Sequence, residues 1–128
     1  MSKRDARATL RQIADHARHA QELCADKTLA ELLADWKSVL AFERALEILG
    51  EAVKRLPTEL CEAYPAVPWR LVAGMRDRLS HGHDEIDYEI LWNAVHEDLP
   101  NLLENVDQMI RSRTPNDWPC VRLCARVL

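Results

Sequence analysis

A chain of 128 residues with a formal net charge of −4, a pI of about 5.7, three glycines and one phenylalanine is long enough to form one hydrophobic core without disulfides or metal. Its acidity excludes a protein that coats nucleic acid non-specifically, since that affinity comes from many Lys and Arg side chains meeting phosphates; a small basic cleft is still permitted. Abundant Ala, Leu, Glu and Arg without β-branched runs give an all-α class rather than a sheet, and no apolar run reaches the length that spans a bilayer.

From about Lys3 to Cys24, the residues Ala6, Leu10, Ile13, Ala17, Ala20 and Cys24 step by four and three, which predicts an amphipathic helix whose charged residues face water. The charged stretch Met1 to Arg11 lacks the apolar core of a secretory signal, so the chain is expected in the cytoplasm. His16 and His19 stand one turn apart beside Asp15, but without a third strong ligand they read as a solvated helix surface rather than a metal grip. Asp26 or Thr28 is placed to cap a second helix with Leu29, Leu32, Leu33 and Trp36 on its buried side.

A further helix is expected from about Lys37 to Leu56, with Leu46, Leu49, Val53 and Leu56 as its core stripe. Gly50 inside it costs about 1 kcal/mol relative to alanine unless something approaches closely there. Pro57, Pro65 and Pro68 mark a connector holding at most a helical turn at Thr58 to Ala63. A central helix then starts at Trp69, with Leu71, Val72, Met75 and Leu79 as an apolar face and Gly82 as its C-terminal cap.

Asp84 or Asp87 caps a last helix from about Asp87 to Arg113, whose seam is Leu91, Val95, Leu99, Leu102, Val106 and Met109. Its length of roughly 40 Å suits a partner helix as well as the chain's own core, and Pro100 within it should kink it. Homodimerisation is therefore expected. Residues 1–113 form one domain in this reading, and residues 114–128 form a tail in which Cys120 and Cys124 are weak evidence for zinc. Cys24 and Cys61 are expected as buried apolar fillers, and neither spacing nor compartment argues for disulfides.

Polar chemistry is concentrated between Trp69 and Asp84. Arg70, Arg76 and Arg78 against Asp77 make Trp69 to His83 net +2 with histidine neutral, so the remainder carries −6 of the total −4. Cleaving RNA without metal requires a base for the 2′-hydroxyl, an acid for the leaving 5′-oxygen and positive charge on the phosphorane. His81 and Arg76 are the residue types suited to these roles, and Asp77, four residues before His81, is spaced to orient the imidazole. Five helical residues separate Arg76 and His81 by about 140°, so they meet at one phosphate only if the helix ends near His81 or a second copy contributes. A solvated helix end is the bland reading of the same pair.

The run P-W-R-L-V-A-G-M-R-D-R-L-S-H-G-H-D (Pro68 to Asp84), preceded by L-G-E at Leu49 to Glu51 and followed by I-D-Y-E-I-L-W and D-L-P, resembles the HepT-like branch of the HEPN superfamily. The resemblance covers roughly Lys27 to Arg113. It implies a helical bundle of about five helices, a homodimer with a composite cleft, and an RNase toxin silenced by a separately encoded minimal nucleotidyltransferase antitoxin. It also implies Arg76, Asp77 and His81 as catalytic residues, with Glu51, Arg78 and His83 as auxiliary ones, RNA as substrate, and no cofactor.

The family's motif is an arginine, four to six residues and a histidine, usually followed two positions later by a tyrosine that accepts AMP from the antitoxin. His83 stands at that tyrosine's place and has no phenol to accept it. Tyr88 lies outside the motif and does not take over the role. His83 permits three readings: a second acid or base beside His81, a metal ligand with His81, Asp84 and Asp77, or a solvated loop residue. A non-catalytic module presenting a nucleotide or RNA to a nucleotidyltransferase is the alternative to the enzyme.

Overall fold

The periodic stretches of the sequence close into helices whose ends are set by capping residues. A computed structural model describes residues 3–81 and 86–111, the side chains of Lys3, Arg4, Ser80 and His81 excepted. The described residues hold no strand and form α1 (Lys3–Cys24), α2 (Leu29–Ala34), α3 (Trp36–Lys54), α4 (Thr58–Glu62), α5 (Trp69–His81), α6 (Tyr88–Glu97) and α7 (Leu99–Arg111). Gly82, His83, Asp84 and the tail after Arg111 lie outside the described residues.

Thr28 starts α2 through a reciprocal capping box, its Oγ1 accepting from the Glu31 N–H at 3.2 Å while Glu31 Oε1 accepts from the Thr28 N–H at 3.2 Å. Asp35 ends α2 and begins α3: its Oδ1 accepts from the Lys37 N–H at 3.1 Å and its Oδ2 from the Ser38 hydroxyl at 2.8 Å. These bonds to its charged form hold the Asp35 carboxyl below the usual carboxylate range. Trp36 is thereby the first residue of α3, not the last of the helix before it.

α3 is the hub of the bundle, packed on α1 along one side and on α5 along another, while α7 lies against α1 and α6. Ala6, Leu10, Ile13, Ala17, Ala20 and Cys24 of α1 are all buried, as their spacing predicts, and belong to one core with Phe42, Leu46 and Leu49 of α3 and Val72 and Met75 of α5. Burial pushes the Cys24 and Cys61 thiols up to about 11, Glu62 reinforcing the effect at Cys61 and Lys27 opposing it at Cys24. No helix among the described residues is long and apolar enough to cross a membrane.

Three expectations are corrected. The last helix is two helices: α6 ends at Glu97 and is capped by Asp98, whose N–H reaches the Ala94 carbonyl at 2.8 Å, and Asp98 O accepts from Leu102 N in the first turn of α7. Pro100 thus falls in the first turn of a new helix, where no backbone donor is required, so a break replaces the kink, and the all-α bundle counts seven helices among the described residues. The seam Leu91, Val95, Leu99, Leu102, Val106 and Met109 is fully buried within the chain, which removes it as a surface for a partner helix. Trp36 is 67% exposed, and Leu33 and Leu71 are also exposed, so none of the three belongs to the core.

Gly50 answers the cost of a glycine inside a helix. A Cβ at Gly50 would meet Arg76 Cβ and N at 3.0 Å and the Val72 carbonyl oxygen at 3.1 Å, because α5 crosses α3 there backbone to backbone. Replacing Gly50 with alanine gains about 1 kcal/mol of helix propensity and costs about 1–3 kcal/mol of overpacking. The expected net result in urea titration is a loss of up to about 2 kcal/mol for Gly50→Ala, with a larger loss for Gly50→Leu. An unchanged or raised midpoint for both would mean that the helices can part without cost.

Candidate active site

The crossing of α3 and α5 at Gly50 brings the polar side chains of both helices together. Glu51 follows Gly50 on α3, and its Oε2 stands 4.0 Å from Arg76 Nε on α5. At that distance the pair attracts without forming a hydrogen bond. Arg76 Nε is buried and makes no hydrogen bond, although the side chain as a whole is 38% exposed. Nε is therefore covered while other parts of the side chain face solvent. A buried, unbonded donor of this kind is rare in folded proteins and marks Arg76 as a candidate functional residue.

One turn further along α3, Lys54 Nζ donates to Asp77 Oδ1 at 2.7 Å. Both partners are well exposed, so this ion pair is worth about 1 kcal/mol or less in stability. Its geometric effect is larger, since it fixes the carboxylate that sits four residues before His81. Lys54 is a site residue that the sequence reading missed. Its spacing offered the signal, because a residue four after Gly50 returns to the face on which α5 lies.

Of the residues expected at the site, Arg76, Asp77 and Glu51 are brought together. Arg78 is exposed and, two residues on, projects from the side of α5 opposite Arg76. α5 continues through His81, which places His81 about 140° around the helix from Arg76 and nearly in line with Gly74, seven residues earlier. The backbone positions of Arg76 and His81 therefore lie on different sides of α5. His83 lies outside the described residues.

Beyond the undescribed residues 82–85, the chain is re-anchored to α3. Asp87 caps α6, its Oδ1 accepting from the Glu89 and Ile90 N–H groups at 3.1 and 3.2 Å, and the Tyr88 hydroxyl donates to Glu43. On α1, His16 Nδ1 bonds the Gln12 carbonyl at 2.9 Å and its ring meets His19 edge to face at 5.3 Å. Among the described residues no group of three metal-ligating side chains is gathered.

The family model described as ribonuclease HepT-like matches residues 13–109. The chain belongs to the HepT-like ribonuclease family. The match begins inside α1, so it takes in more of the N-terminus than the resemblance over Lys27 to Arg113. A Methanocaldococcus jannaschii protein named as an RNase is 39% identical over 111 residues, which cover 87% of this chain and 92% of the relative. A Thermococcus cleftensis protein named as a ribonuclease HepT is 38% identical over 100 residues, covering 78% and 91%. Another protein named as an RNase, from Caldanaerobacter subterraneus, is 44% identical over 71 residues, covering 56% and 63%. No solved structure matches.

The Tyr88 phenol is pushed up to about 12, first by its hydrogen bond to Glu43, then by burial and the Glu43 charge. A free tyrosine ionises near pH 10, so the folded chain keeps this proton when the unfolded chain has released it. The contribution is complete below about pH 10 and is lost as pH rises towards 12. Thermal melts across that window should fall less steeply for Tyr88→Phe than for wild type. Parallel slopes would place the phenol outside the Glu43 contact.

Proposed function

We propose that this protein is a metal-independent endoribonuclease whose reacting phosphate is bound by Arg76 and whose acid or base is His81. The observation that carries the reading is the Arg76 guanidinium, half covered at the α3–α5 crossing with its buried Nε unbonded. An arginine held this way is preorganised for the charge that develops on a phosphorane. Histidine suits transfer of the 2′-hydroxyl proton and protonation of the leaving 5′-oxygen, and Asp77 at four residues' spacing supports its protonated form.

The cleft is composite in this reading. His81 lies some 140° from Arg76 on one α5, and the face of α5 in line with His81 is open: a Cβ at Gly74 would meet nothing within 4 Å, and Leu71 is 48% exposed. A second α5 laid over Gly74 and Leu71 would place the His81 position of each copy in the contact between copies, and Arg76, about 160° around the helix from Gly74, would reach that contact only by the length of its side chain. This face replaces the α6–α7 seam as the reason to expect a homodimer.

The resemblance extends the reading to a toxin neutralised by a cognate minimal nucleotidyltransferase antitoxin. With His83 at the tyrosine's place, neutralisation would proceed by occlusion or by AMP transfer elsewhere. The same histidine, together with the net charge of −4, favours the second reading, a non-catalytic nucleotide- or RNA-binding partner of a nucleotidyltransferase.

RNA cleavage in excess EDTA separates the two. Wild type should leave 2′,3′-cyclic phosphate ends. Arg76→Ala should lose about 10²–10³ in rate and His81→Ala about 10²–10⁴, both folded by circular dichroism. A well-folded wild type that cuts neither tRNA nor mRNA would establish the binding module instead. In light scattering at micromolar concentration, wild type should have a dimer's mass and Gly74→Trp a monomer's. A monomeric wild type that cleaves RNA would overturn the composite cleft.

A further inference from the structure

A groove of about 520 Å³ runs between the end of α3, α4, the connector and the first turns of α5. Its walls are apolar, with Pro68 and Trp69 among them, and Lys54 and Arg70 line it together with one carboxylate, Glu62. Trp69 is held rigidly, since its indole N–H donates to the Tyr64 carbonyl at 3.0 Å and the residue is buried. The connector carrying Pro65 and Pro68 is itself pinned from α7, where Asn101 Nδ2 donates to the Ala66 carbonyl at 2.6 Å. The groove is thus a preformed recess rather than a gap between loose segments.

Its position gives it meaning. Lys54 lines the groove and also holds Asp77 at 2.7 Å, so groove and candidate active site share a wall. Arg70 lies seven residues before Asp77, two turns along the same helix and about 10 Å away. A strand whose phosphate sits at Arg76 and runs towards the start of α5 would pass the mouth of the groove with two cations beside its backbone. Flat apolar walls next to cationic side chains are how proteins hold unpaired nucleotides, the base packed on the wall and the phosphate on the charge. Two other grooves among the described residues lie elsewhere: one mixes Asp26, Lys27 and Glu31 between the end of α1, α2 and α6, and one lies between α1 and α3 around His16 and His19.

We infer that this groove receives the unpaired base of a nucleotide next to the scissile phosphate, with Lys54 and Arg70 on the adjoining phosphates. The inference rests on the nuclease reading for the place of the scissile phosphate. It makes single strands and loops the substrate class, because a base in a duplex must first leave its stack to enter.

The test is fluorescence anisotropy on the full chain, using a short fluorescein-labelled single-stranded RNA with 2′-fluoro sugars, which has no 2′-hydroxyl to attack the phosphate. A single abasic position is walked along the strand. Wild type should bind about tenfold more weakly when one particular base is missing, a loss typical of a single stacked base. Ala73→Met, which fills the groove from α5, should weaken the intact strand by about the same factor and abolish the abasic effect. Cys61→Phe, from the opposite wall, should do likewise. Arg70→Ala should weaken intact and abasic strands equally and flatten the salt dependence.

An abasic walk without effect on wild type, groove variants that bind as wild type does, or no binding at all would overturn the inference. The walk requires no variant, so it decides the matter even if both groove fillings fail to fold. Cleavage of the unmodified strand is read in parallel. Cleavage without an abasic effect removes the groove and leaves the nuclease. An abasic effect without cleavage removes the nuclease and leaves the groove.

Discussion

The backbone contact of α3 with α5 at Gly50 is the constraint on which the rest of the molecule depends. The glycine has no side chain to hold the helices apart, and Arg76 N and the Val72 carbonyl oxygen come to within about 3 Å of where a Cβ would stand. Such an approach is available only to glycine, and it outweighs the roughly 1 kcal/mol by which glycine disfavours a helix interior. Helices this close must align the polar residues that flank the crossing. Glu51 is thereby set beside Arg76, and Lys54 against Asp77.

The two pairs differ in kind. Lys54 and Asp77 form a close, solvent-exposed ion pair, which orders the carboxylate and contributes little to stability. Glu51 and Arg76 stop at 4.0 Å with the arginine's Nε buried and unbonded, an arrangement that keeps the guanidinium in place without consuming its donors. A donor without a partner costs stability in a protein that has no use for it. The proposed nuclease reading would give it a use, on α5 of a chain of the HepT-like ribonuclease family. The acidity of the whole chain is compatible with that reading, because at physiological salt exposed charges beyond about 8 Å are largely screened, which leaves the charges near Arg76 to act on an anion there.

The corrected elements share one cause, which is that a helical stripe does not say what lies opposite it. Leu71 fits the apolar face of the central helix by spacing, yet α3 crosses α5 on the side of Val72 and Arg76, so Leu71 is left outside. Trp36 reads as the last apolar position of one helix until the Asp35 carboxylate bonds the Lys37 N–H, which starts a new helix at Trp36 and turns it outward. In the same way Asp98 divides a continuous apolar seam in two and lets both parts fold onto α1.

The sequence by itself determined the helical class, the buried stripe of α1 and the family, and it narrowed the caps of α2 to Asp26 or Thr28 and of α6 to Asp84 or Asp87. Those features depend on periodicity, on local hydrogen bonds within four residues, and on a run of motif residues, all of which are written in neighbouring positions. Glycine at position 50 announced a close approach without naming what approaches. Only the tertiary structure decided that it is the backbone at Arg76, that Lys54 holds Asp77 across 23 residues of chain, and that a groove opens beside them between α4 and α5. Contacts between helices depend on the crossing point and rotation of two rigid rods, and these are fixed by the sum of packing across the whole core.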